Sequence, residues 1–340
     1  MSKPKHLKKR KRSRAVPFLL AAVVAVGAVY AGAHLYFRAP ELPADRPGQE
    51  EVHEDDQQAQ SQAEAEAAAA EEAARKAHLV RKEDCYTILV SGLDDDNGGA
   101  DTNMLVTVNA GEGFVHAVSI PRDTKCIYGG KSHKINAAYN SGGMERLSGV
   151  IEDQLGIPVD YTLTINLQGF VALVDAIKGV DFYVPIDMDY DDPTQNLSIH
   201  FKKGMQHLNG EDAMKVVRFR HNNDGTGYGN EDISRMQTQQ DFLKAVAKKM
   251  LSPSNLGRIP KLAGIVSSHI KSDNLTAGNL AWLGTEMISM GTENISFSTL
   301  PGSWKSPYIY LDEAAVLELV NTYLNPYVED RLAEDLNIPS

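Results

Sequence analysis

The strongest constraint on this chain is an apolar run, Ala15 to Phe37, that follows a strongly basic N-terminus. Residues 1–14 contain eight lysines and arginines and no acidic residue, and residues 15–33 carry no charged or amide side chain. A helix of about 20 such residues crosses the hydrocarbon core of a bilayer. Because basic flanks stay inside the cell, residues 1–14 are predicted to be a cytoplasmic tail and residues 15–37 a single transmembrane anchor.

A cleaved secretory signal peptide is the alternative interpretation of the same run. Signal peptides have an apolar region of roughly 7–15 residues and a cleavage site of small residues. Here the apolar run is longer, and the segment AGAHLYFRA offers a poor cleavage site. We therefore predict a retained anchor and a type II membrane protein, with the rest of the chain outside the cell.

The charge balance limits the class of partner. The whole sequence has 34 basic and 45 acidic residues, and its net charge is −11. Without the eight basic residues of the tail, 26 basic residues stand against 45 acidic ones. An acidic domain repels nucleic-acid phosphates, so no nucleic acid is expected as a partner. The basic tail instead suits anionic membrane lipid.

Composition changes again after the apolar run. APELPADRPGQEEVHEDDQQ is typical of a solvated spacer, and AQSQAEAEAAAAEEAARKAHLVRK has strong helix formers and no glycine or proline. We predict a linker and helical stalk over residues 38–80 and an extracytoplasmic domain over residues 81–340. A coiled coil is the alternative for the stalk, although its apolar positions are nearly all alanine.

From Tyr86 onward, short β-rich runs alternate with segments of helical spacing. Strands are predicted at YTILVSG, NMLVTVN, FVHAVSI, TLTIN, VDFYVPI and ISFSTL, and the turn AGEG predicts a hairpin between the second and third. Helices are predicted at GGMERLSGVIEDQLG, LQGFVALVDAIKG, NGEDAMKVVRF, EDISRMQTQQDFLKAVAKKML and DEAAVLELVNTYL. This alternation predicts an α/β or α+β sandwich in one domain.

Two cysteines, Cys85 and Cys126, fall in the predicted exported part. An oxidising compartment and an even count permit one disulfide, so we predict a bond between them. The sequence has no CxxC motif and no Cys/His cluster, so a zinc site is not expected.

An acidic, glycine-rich loop follows the first predicted strand, in the segment GLDDDNGGADTNML. Carboxylates at the end of a strand, with glycines that permit tight turns, suit a hard divalent cation. Asp94 and Asp101 are the candidate ligands. A solvated loop is the alternative on spacing alone.

Arginines cluster in three further segments. SIPRDT places Arg122 and Asp123 just after a strand, and VVRFRH places Arg218 and Arg220 two residues apart where a helix ends. On the longest predicted helix, Arg235 and Gln239 are i and i+4 and share a face. Arginine forks suit phosphate oxygens, so these segments are candidate phosphate contacts. Surface ion pairs are the alternative for each arginine alone.

Six motifs give the chain a resemblance to the LytR-CpsA-Psr family. In chain order they are GADT, SIPRDT, KINAAYNSGG, GMQHLNGEDA, VRFRH and DISRMQTQQ. The similarity runs from about Tyr86 to Leu251, and the LPG at Leu300 to Gly302 and the final helix resemble the C-terminal part of the family. The basic tail and single anchor also resemble it.

The resemblance implies the class of enzyme. Members are extracytoplasmic phosphotransferases, mostly of Gram-positive bacteria, that move a teichoic acid or capsular polysaccharide from polyprenyl pyrophosphate to peptidoglycan. The implied fold is an α-β-α sandwich with a mixed central sheet and an apolar tunnel for the lipid. The partners would be the lipid-linked glycan, peptidoglycan and membrane lipid.

The resemblance also implies which residues bind a metal and which arginines bind the phosphate oxygens. Asp94 and Asp101 would bind magnesium, with manganese as an alternative, at the pyrophosphate. Asp123 would orient Arg122. The residues alone leave open whether a protein base takes the hydroxyl proton, and they offer Asp123 as a candidate and His221 as a weaker one. The predicted catalytic residues are Arg122, Asp123, Arg218 and Arg220, and the predicted substrate-binding residues are Arg122, Arg218, Arg220, Arg235 and Gln239.

Two departures from the family pattern both remove positive charge. Gly99 stands where the family often has arginine, and Thr238-Gln239-Gln240 stands where it has Arg-Gln-Gln. Because both reduce positive charge at the site, they would change the affinity for phosphate or the preferred polymer. Two other functions remain open on the residues alone: a hydrolase of polyprenyl pyrophosphate, and a non-catalytic anchor that binds or regulates lipid-linked glycan.

Overall fold

A six-stranded β-sheet forms the centre of this protein in a computed structural model that describes residues 37–42, 79–93, 100–194, 197–228, 231–250, 252, 257–272 and 275–340. The strands are β1 (Cys85–Leu93), β2 (Ala100–Asn109), β3 (Phe114–Ile120), β4 (Lys125–Tyr128), β5 (Lys131–Lys134), β6 (Tyr161–Ile165), β7 (Val180–Val184), β8 (Met188–Asp192), β9 (Leu197–Phe201), β10 (Gly204–Leu208), β11 (Ile270–Ser272), β12 (Ile295–Thr299), β13 (Gly302–Lys305) and β14 (Tyr308–Leu311). The helices are α1 (Ile135–Leu155), α2 (Leu167–Ala176), α3 (Gly210–Arg218), α4 (Glu231–Met250), α5 (Ile259–His269), α6 (Ala277–Ser289) and α7 (Glu313–Leu319), which continues into a π-helical turn at Val320–Leu324.

The strand order in the central sheet is β11–β6–β1–β2–β3–β12. β1 is parallel to β6 and β3 is parallel to β12, whereas β2 is antiparallel to both of its neighbours. The mixed sheet implied by the resemblance is therefore confirmed. β1, β3, β6 and β12 run in one direction, so their last residues meet the first residues of β2 along one edge. We call this the polar edge.

One face of the sheet is covered by α1 and α7, and we call it the closed face. Alternate residues of β1, β2 and β3 share a core with one apolar side of α1. Each member of this core layer is at most 1% exposed: Leu89, Leu105, Val118, Leu147, Ile151, Leu155 and Val316. Hydrophobic burial therefore holds α1 and α7 firmly on this face.

The opposite face, which we call the open face, is covered unevenly. Away from the polar edge, Tyr86 and Val108 are at most 4% exposed and belong to one core with Leu283 of α6. Toward the polar edge, Val90 and Val106 on the same strands are only half-buried. Helices therefore lie on both faces of the sheet, but only the closed face is fully packed.

Helix α1 begins seven residues before the predicted start at Gly142. The helix is interrupted at Gly142 and Gly143, where φ is −166° and +66°, and the glycine pair joins two helical segments. Its end is fixed by Gly156, whose φ is +62° and whose added Cβ would lie 2.4 Å from the Asp335 carbonyl oxygen. The sequence pattern identified the second segment and missed the first.

A second core lies between the helices α2, α3 and α4 and the strands β7 to β10. Asn209 caps α3, because its side chain accepts a hydrogen bond from the Asp212 N–H at 2.9 Å. Asp175 of α2 accepts from the Gly210 N–H at 2.8 Å and so ties the same helix start to its neighbour. These contacts fix the start of α3, whose other end carries Arg218.

The predicted Cys85–Cys126 disulfide is wrong, because both cysteines are buried free thiols. Cys85 lies opposite Asn109 in the central sheet, whereas the Cys126 thiol in β4 donates to the His133 carbonyl at 3.6 Å. The two thiols therefore belong to different elements. Burial raises the pKa of each cysteine to about 11, which keeps both protonated and unreactive.

The predicted tail, almost all of the predicted anchor and most of the predicted linker lie outside the described residues. Within the described ranges, no helix is long and apolar enough to cross a membrane. The anchor and the stalk therefore stay predictions.

Candidate active site

The acidic loop joins β1 and β2 at the polar edge. Gly92 pairs with Thr102 and Leu93 pairs with Ala100, so the register shifts and Asp101 lies at an irregularity of the ladder. Such bulges redirect the chain where a strand meets a functional loop. Of Asp101 the structure describes the backbone, and Asp94 lies outside the described residues. The position of Asp101 at this edge is the one that the sequence predicts.

A buried polar pair fixes the start of β2. The Ser91 hydroxyl donates to Asn103 Oδ1 at 2.8 Å, and Asn103 Nδ2 donates to the Ala100 carbonyl at 3.1 Å. Asn103 is 1% exposed, so these bonds form where water cannot compete. Sequence analysis missed this pair. The signal was an asparagine at the start of the predicted strand NMLVTVN.

The SIPRDT turn follows β3 at the same edge. Asn103 pairs with Ile120, so Asp101 and Arg122 each lie two residues beyond the last pair of adjacent strands. The turn is closed by Thr124, whose N–H and hydroxyl both donate to the Pro121 carbonyl, at 3.0 and 2.7 Å. The sheet therefore brings the backbone of Asp101 and the first predicted arginine to one level.

Asp123 lies between two cations in this turn. Its Oδ1 is 3.7 Å from Arg122 Nε and 2.9 Å from Lys134 Nζ. Both are ionic contacts rather than well-aligned hydrogen bonds. The role of Asp123 in orienting Arg122 stays a prediction. Sequence analysis gave Lys134 no role, although it opens the KINAAYNSGG motif.

The second pair of predicted arginines flanks a buried aromatic residue. Arg218 is the last residue of α3, and its Nη1 lies 3.9 Å from Met214 Sδ. Phe219 leaves the helix with ψ at 132° and is 1% exposed, and Arg220 is exposed. Arg218 is therefore still helical, whereas Arg220 follows the residue at which the chain leaves the helix.

Helix α4 contacts the end of α3 at which this arginine pair lies. Gln239 Nε2 donates to the Val217 carbonyl at 3.0 Å, so its amide satisfies the last turn of α3 beside Arg218. Gln239 therefore positions the helix end that carries Arg218. Arg235 lies one turn earlier on α4, and the structure describes its backbone only.

A small open cavity of about 10 Å³, room for about one water molecule, lies on the open face, between the sheet and α4. Its lining is mostly apolar and comes from three strands and one helix: Met104, Ala117, Ser119, Lys244, Phe297 and Ser298. Lys244 Nζ of α4 lies 5.9 Å from the centroid of the Phe297 ring. Helix α4 therefore contacts both the apolar cavity and the end of α3 that carries Arg218.

The predicted metal ligands Asp94 and Asp101 are judged by residue type, because the structure describes neither side chain. Magnesium is commonly held through one or two carboxylates together with phosphate oxygens of the substrate, and Asp94 and Asp101 offer such a donor set. In the part of the chain that the structure describes, no group of three or more His, Cys, Asp or Glu side chains is placed to hold a metal. A site of this magnesium type needs no such group.

Comparison with known proteins identifies the family and similar proteins with named activities. The model of the LytR_cpsA_psr family matches residues 51–326. The chain is 30% identical over 262 residues to the polyisoprenyl-teichoic acid–peptidoglycan teichoic acid transferase TagV of Bacillus subtilis, which covers 73% of this chain and 66% of TagV. It is 31% identical over 252 residues to the TagU transferase of Bacillus cereus, covering 71% of this chain and 79% of TagU.

The fold agrees with this match. The crystal structure of B. subtilis TagV is similar with a TM-score of 0.60 and 28% identity, over 72% of this chain and 98% of that chain. The alignment spans just under two thirds of the full TagV sequence, 66% of its length. A family model that matches most of the chain, together with the same fold, settles the classification: this chain belongs to the LytR_cpsA_psr family.

Proposed function

We propose that this protein transfers a glycopolymer of the teichoic acid or capsular polysaccharide type from polyprenyl pyrophosphate to peptidoglycan. Two relatives carry names of that activity, as transferases that act on polyisoprenyl-teichoic acid and peptidoglycan. One observation in this chain supports the proposal. Side chains on the open face are buried far from the polar edge and only half-buried close to it.

Side-chain burial decreases toward the polar edge along individual strands. On β1, Tyr86 and Ile88 are 4% and 5% exposed, whereas Val90 is half-buried. On β2, Val108 is 1% exposed, whereas Met104 is half-buried and lines the cavity. A polyprenyl chain is purely apolar, so covering these side chains with it would remove apolar surface from water at about 25 cal/mol per Å².

The polar edge supplies the charge that a pyrophosphate requires. Arginine offers a fixed fork of donors to phosphate oxygens, and Arg122 is held beside Asp123 at 3.7 Å. We assign Arg218 and Arg220 the same task at the end of α3, with Arg235 on the adjoining helix. Gln239 acts through its contact with the Val217 carbonyl rather than as a first contact to phosphate.

The reaction follows from this arrangement. A sugar hydroxyl of peptidoglycan attacks the phosphorus nearest the glycopolymer, a new P–O bond forms, and the bond from that phosphorus to the bridging oxygen breaks. Polyprenyl phosphate leaves with the bridging oxygen, and Asp123 takes the hydroxyl proton. Arg122, Arg218 and Arg220 offset the negative charge that grows on the phosphate oxygens. Bound magnesium, or manganese, held by Asp94 and Asp101 would add positive charge at the pyrophosphate.

We further propose the location that the sequence predicts. Residues 15–37 would anchor the chain as a type II protein in the cell membrane, with residues 81–340 on the outer side where lipid-linked glycan meets peptidoglycan. Protease added to intact protoplasts should then digest the domain and spare a tag at Met1. Protection of the C-terminal domain would contradict this location.

A product assay tests the function. Full-length protein is incubated with magnesium, peptidoglycan fragments and a polyprenyl pyrophosphate that carries a labelled glycan. We expect the label on the peptidoglycan fragments and polyprenyl phosphate as the second product. Release of free phosphorylated glycan would instead show a hydrolase, and stable binding without turnover would show a non-catalytic anchor.

A further inference from the structure

We propose that Trp304 forms a subsite for the acceptor, in which the indole stacks on a sugar ring of the peptidoglycan strand. The inference rests on the proposed function and adds to it the side from which the acceptor arrives. It is carried by the exposure of this tryptophan, its contacts with the SIPRDT turn and the geometry of phosphoryl transfer.

Trp304 lies on a small hairpin that is bonded to the candidate active site. It is 59% exposed and pairs across the β13–β14 hairpin with Ile309. The Ile309 N–H donates to the Asp123 carbonyl at 2.8 Å, and Ile309 also forms a β-bridge with Thr124. The position of the indole is therefore tied to the backbone of the turn that carries Arg122.

A lysine connects the indole to the carboxylate of that turn. Lys134 Nζ lies 5.9 Å from the centroid of the Trp304 ring and 2.9 Å from Asp123 Oδ1. A cation at this distance from a ring is attracted by the negative charge of the ring face. Trp304 is thus separated from Asp123, the proposed base, by a single side chain.

The chemistry of the patch suits an acidic sugar chain. An indole face is electron-rich, and it attracts the weakly positive C–H bonds on the flat side of a pyranose ring. The neighbouring ring of Tyr310 has Lys125 Nζ at 4.8 Å and Lys305 Nζ at 5.7 Å from its centroid. Peptidoglycan offers both partners, because its sugar rings have flat C–H faces and its stem groups carry carboxylates.

The hairpin also lies on the side that an in-line reaction requires. Leu311 at its end packs against the core of the closed face, as does Cys126 of the adjoining β4. The apolar cavity proposed for the lipid lies on the open face. Because the attacking and leaving oxygens stand on opposite sides of the phosphorus, a lipid that leaves along the open face requires an acceptor from the other side.

The test measures steady-state transfer by the full chain in detergent, with the donor and the acceptor varied separately. For Trp304→Ala we expect the KM for the peptidoglycan acceptor to rise roughly tenfold, the loss typical of truncating one anchoring aromatic side chain. The donor KM and kcat should stay within about twofold of wild type. Trp304→Tyr should recover most of the loss, because it keeps an aromatic face.

The matched control is Tyr183→Ala, which removes another exposed aromatic ring, 51% exposed on β7. It should leave both KM values unchanged. An unchanged acceptor KM in Trp304→Ala would overturn the subsite, and so would a rise in the donor KM alone, which would mean that the ring holds the donor glycan. A fall in kcat with lower thermal stability would assign Trp304 a merely structural role and also overturn it.

A binding measurement separates failure of the subsite from failure of the proposed function. In a Trp282→Phe background, Trp304 fluorescence reports directly on added peptidoglycan fragments, because the chain has two tryptophans. Saturable quenching without any transfer would leave the subsite standing and reject the transferase. Transfer with no quenching and no effect of Trp304→Ala would reject the subsite and keep the transferase.

Discussion

The two faces of the central sheet are built from alternate residues of the same strands, yet they are packed to different degrees. On the closed face, Leu89 and Leu105 are fully buried beneath α1 and α7. On the open face, their neighbours Val90 and Met104 are only half-buried. Close packing of an interior is worth several kcal/mol per large side chain, so a face that forgoes it near the polar edge has another use.

Stability and function are divided between the two faces. The closed face fixes the shape of the polar edge, because the Asn103 hydrogen bonds and the SIPRDT turn lie at the ends of strands that are tightly packed on this face. The open face leaves apolar surface beside that edge for a substrate with an apolar tail. If this division is right, substitutions on the two faces should fail in different assays.

The largest expected effect is on turnover, at the edge where the faces meet. Asp101→Ala should lower kcat by at least about a hundredfold, because charge stabilisation by a bound cation contributes several kcal/mol and about 1.4 kcal/mol is a factor of ten. The free energy of unfolding should change little. Transfer of labelled glycan by the folded variant is the measurement.

Controls sharpen this result. Asp330→Ala removes an exposed carboxylate near the C-terminus and should transfer normally. Arg218→Lys keeps the charge but loses the forked donors, so it should also be impaired. Full activity of Asp101→Ala, or indifference of the wild type to a chelator, would remove the proposed metal.

The next effect is on stability and compares two adjacent residues of β2. Leu105→Ala on the closed face should lower the free energy of unfolding by about 3–4 kcal/mol, as expected for a fully buried leucine that leaves a cavity. Met104→Ala on the open face should cost less than about 1 kcal/mol, since its side chain is not fully packed. Denaturant unfolding of both variants measures the difference. Equal losses would contradict the division of the two faces.

The pH dependence of stability tests whether water reaches His116 on the closed face. His116 is 3% exposed, bonds Ser296 and Ser298 at 2.6 and 2.8 Å and stacks on Tyr323, so burial lowers its pKa to about 4. The unfolded chain takes up this proton near pH 6.5 and the folded chain only near pH 4, so this contribution to stability is full above pH 6.5 and is lost as the pH falls toward 4. Between pH 7 and pH 4.5 the loss should be about 2–3 kcal/mol.

The comparison variant for this titration is His116→Gln. It cannot titrate in this range, so its free energy of unfolding should fall less than that of the wild type between the same two pH values. Parallel curves for the two proteins would show that His116 is hydrated, and the closed face would then be less tightly packed than described.

The smallest effect concerns the cavity of the open face. Ser119→Leu should fill space beside Met104 and Phe297 and raise the KM for the lipid-linked donor by roughly tenfold, because the polyprenyl chain and the new side chain compete for one volume. The acceptor KM should not change. Ser289→Leu, at an exposed position of α6, is the control. A donor KM that is the same in both variants would move the lipid away from this cavity.

Much of this architecture could be predicted from sequence because local patterns and structure agree. The hairpin between β2 and β3 follows from AGEG, and the buried stripe of α1 follows from its spacing. The edge position of Asp101 and Arg122 follows from motifs at strand ends. In each case the signal lies within about fifteen residues of chain.

The features that sequence missed depend on how separate elements pack. Lys134 is close to Asp123 along the chain but meets it only because β5 folds back on β4, and Gln239 meets Val217 only because α4 packs beside α3. The disulfide was predicted from compartment and count, which say nothing of the separate elements in which the two cysteines lie. The unequal packing of the two faces also has no local signal, since both carry apolar residues.

The most direct test of the unequal faces is to map where the lipid binds. A polyprenyl pyrophosphate with a photoreactive group on its isoprenoid chain is crosslinked to the full-length protein, and the labelled peptides are identified by mass spectrometry. If the lipid binds on the open face, we expect saturable labelling of the cavity residues Met104, Ser119 and Phe297. Unlabelled lipid should compete with this labelling, and Ser119→Leu should weaken it. Saturable labelling of α1 or α7 on the closed face, with the cavity peptides unlabelled, would contradict binding on the open face.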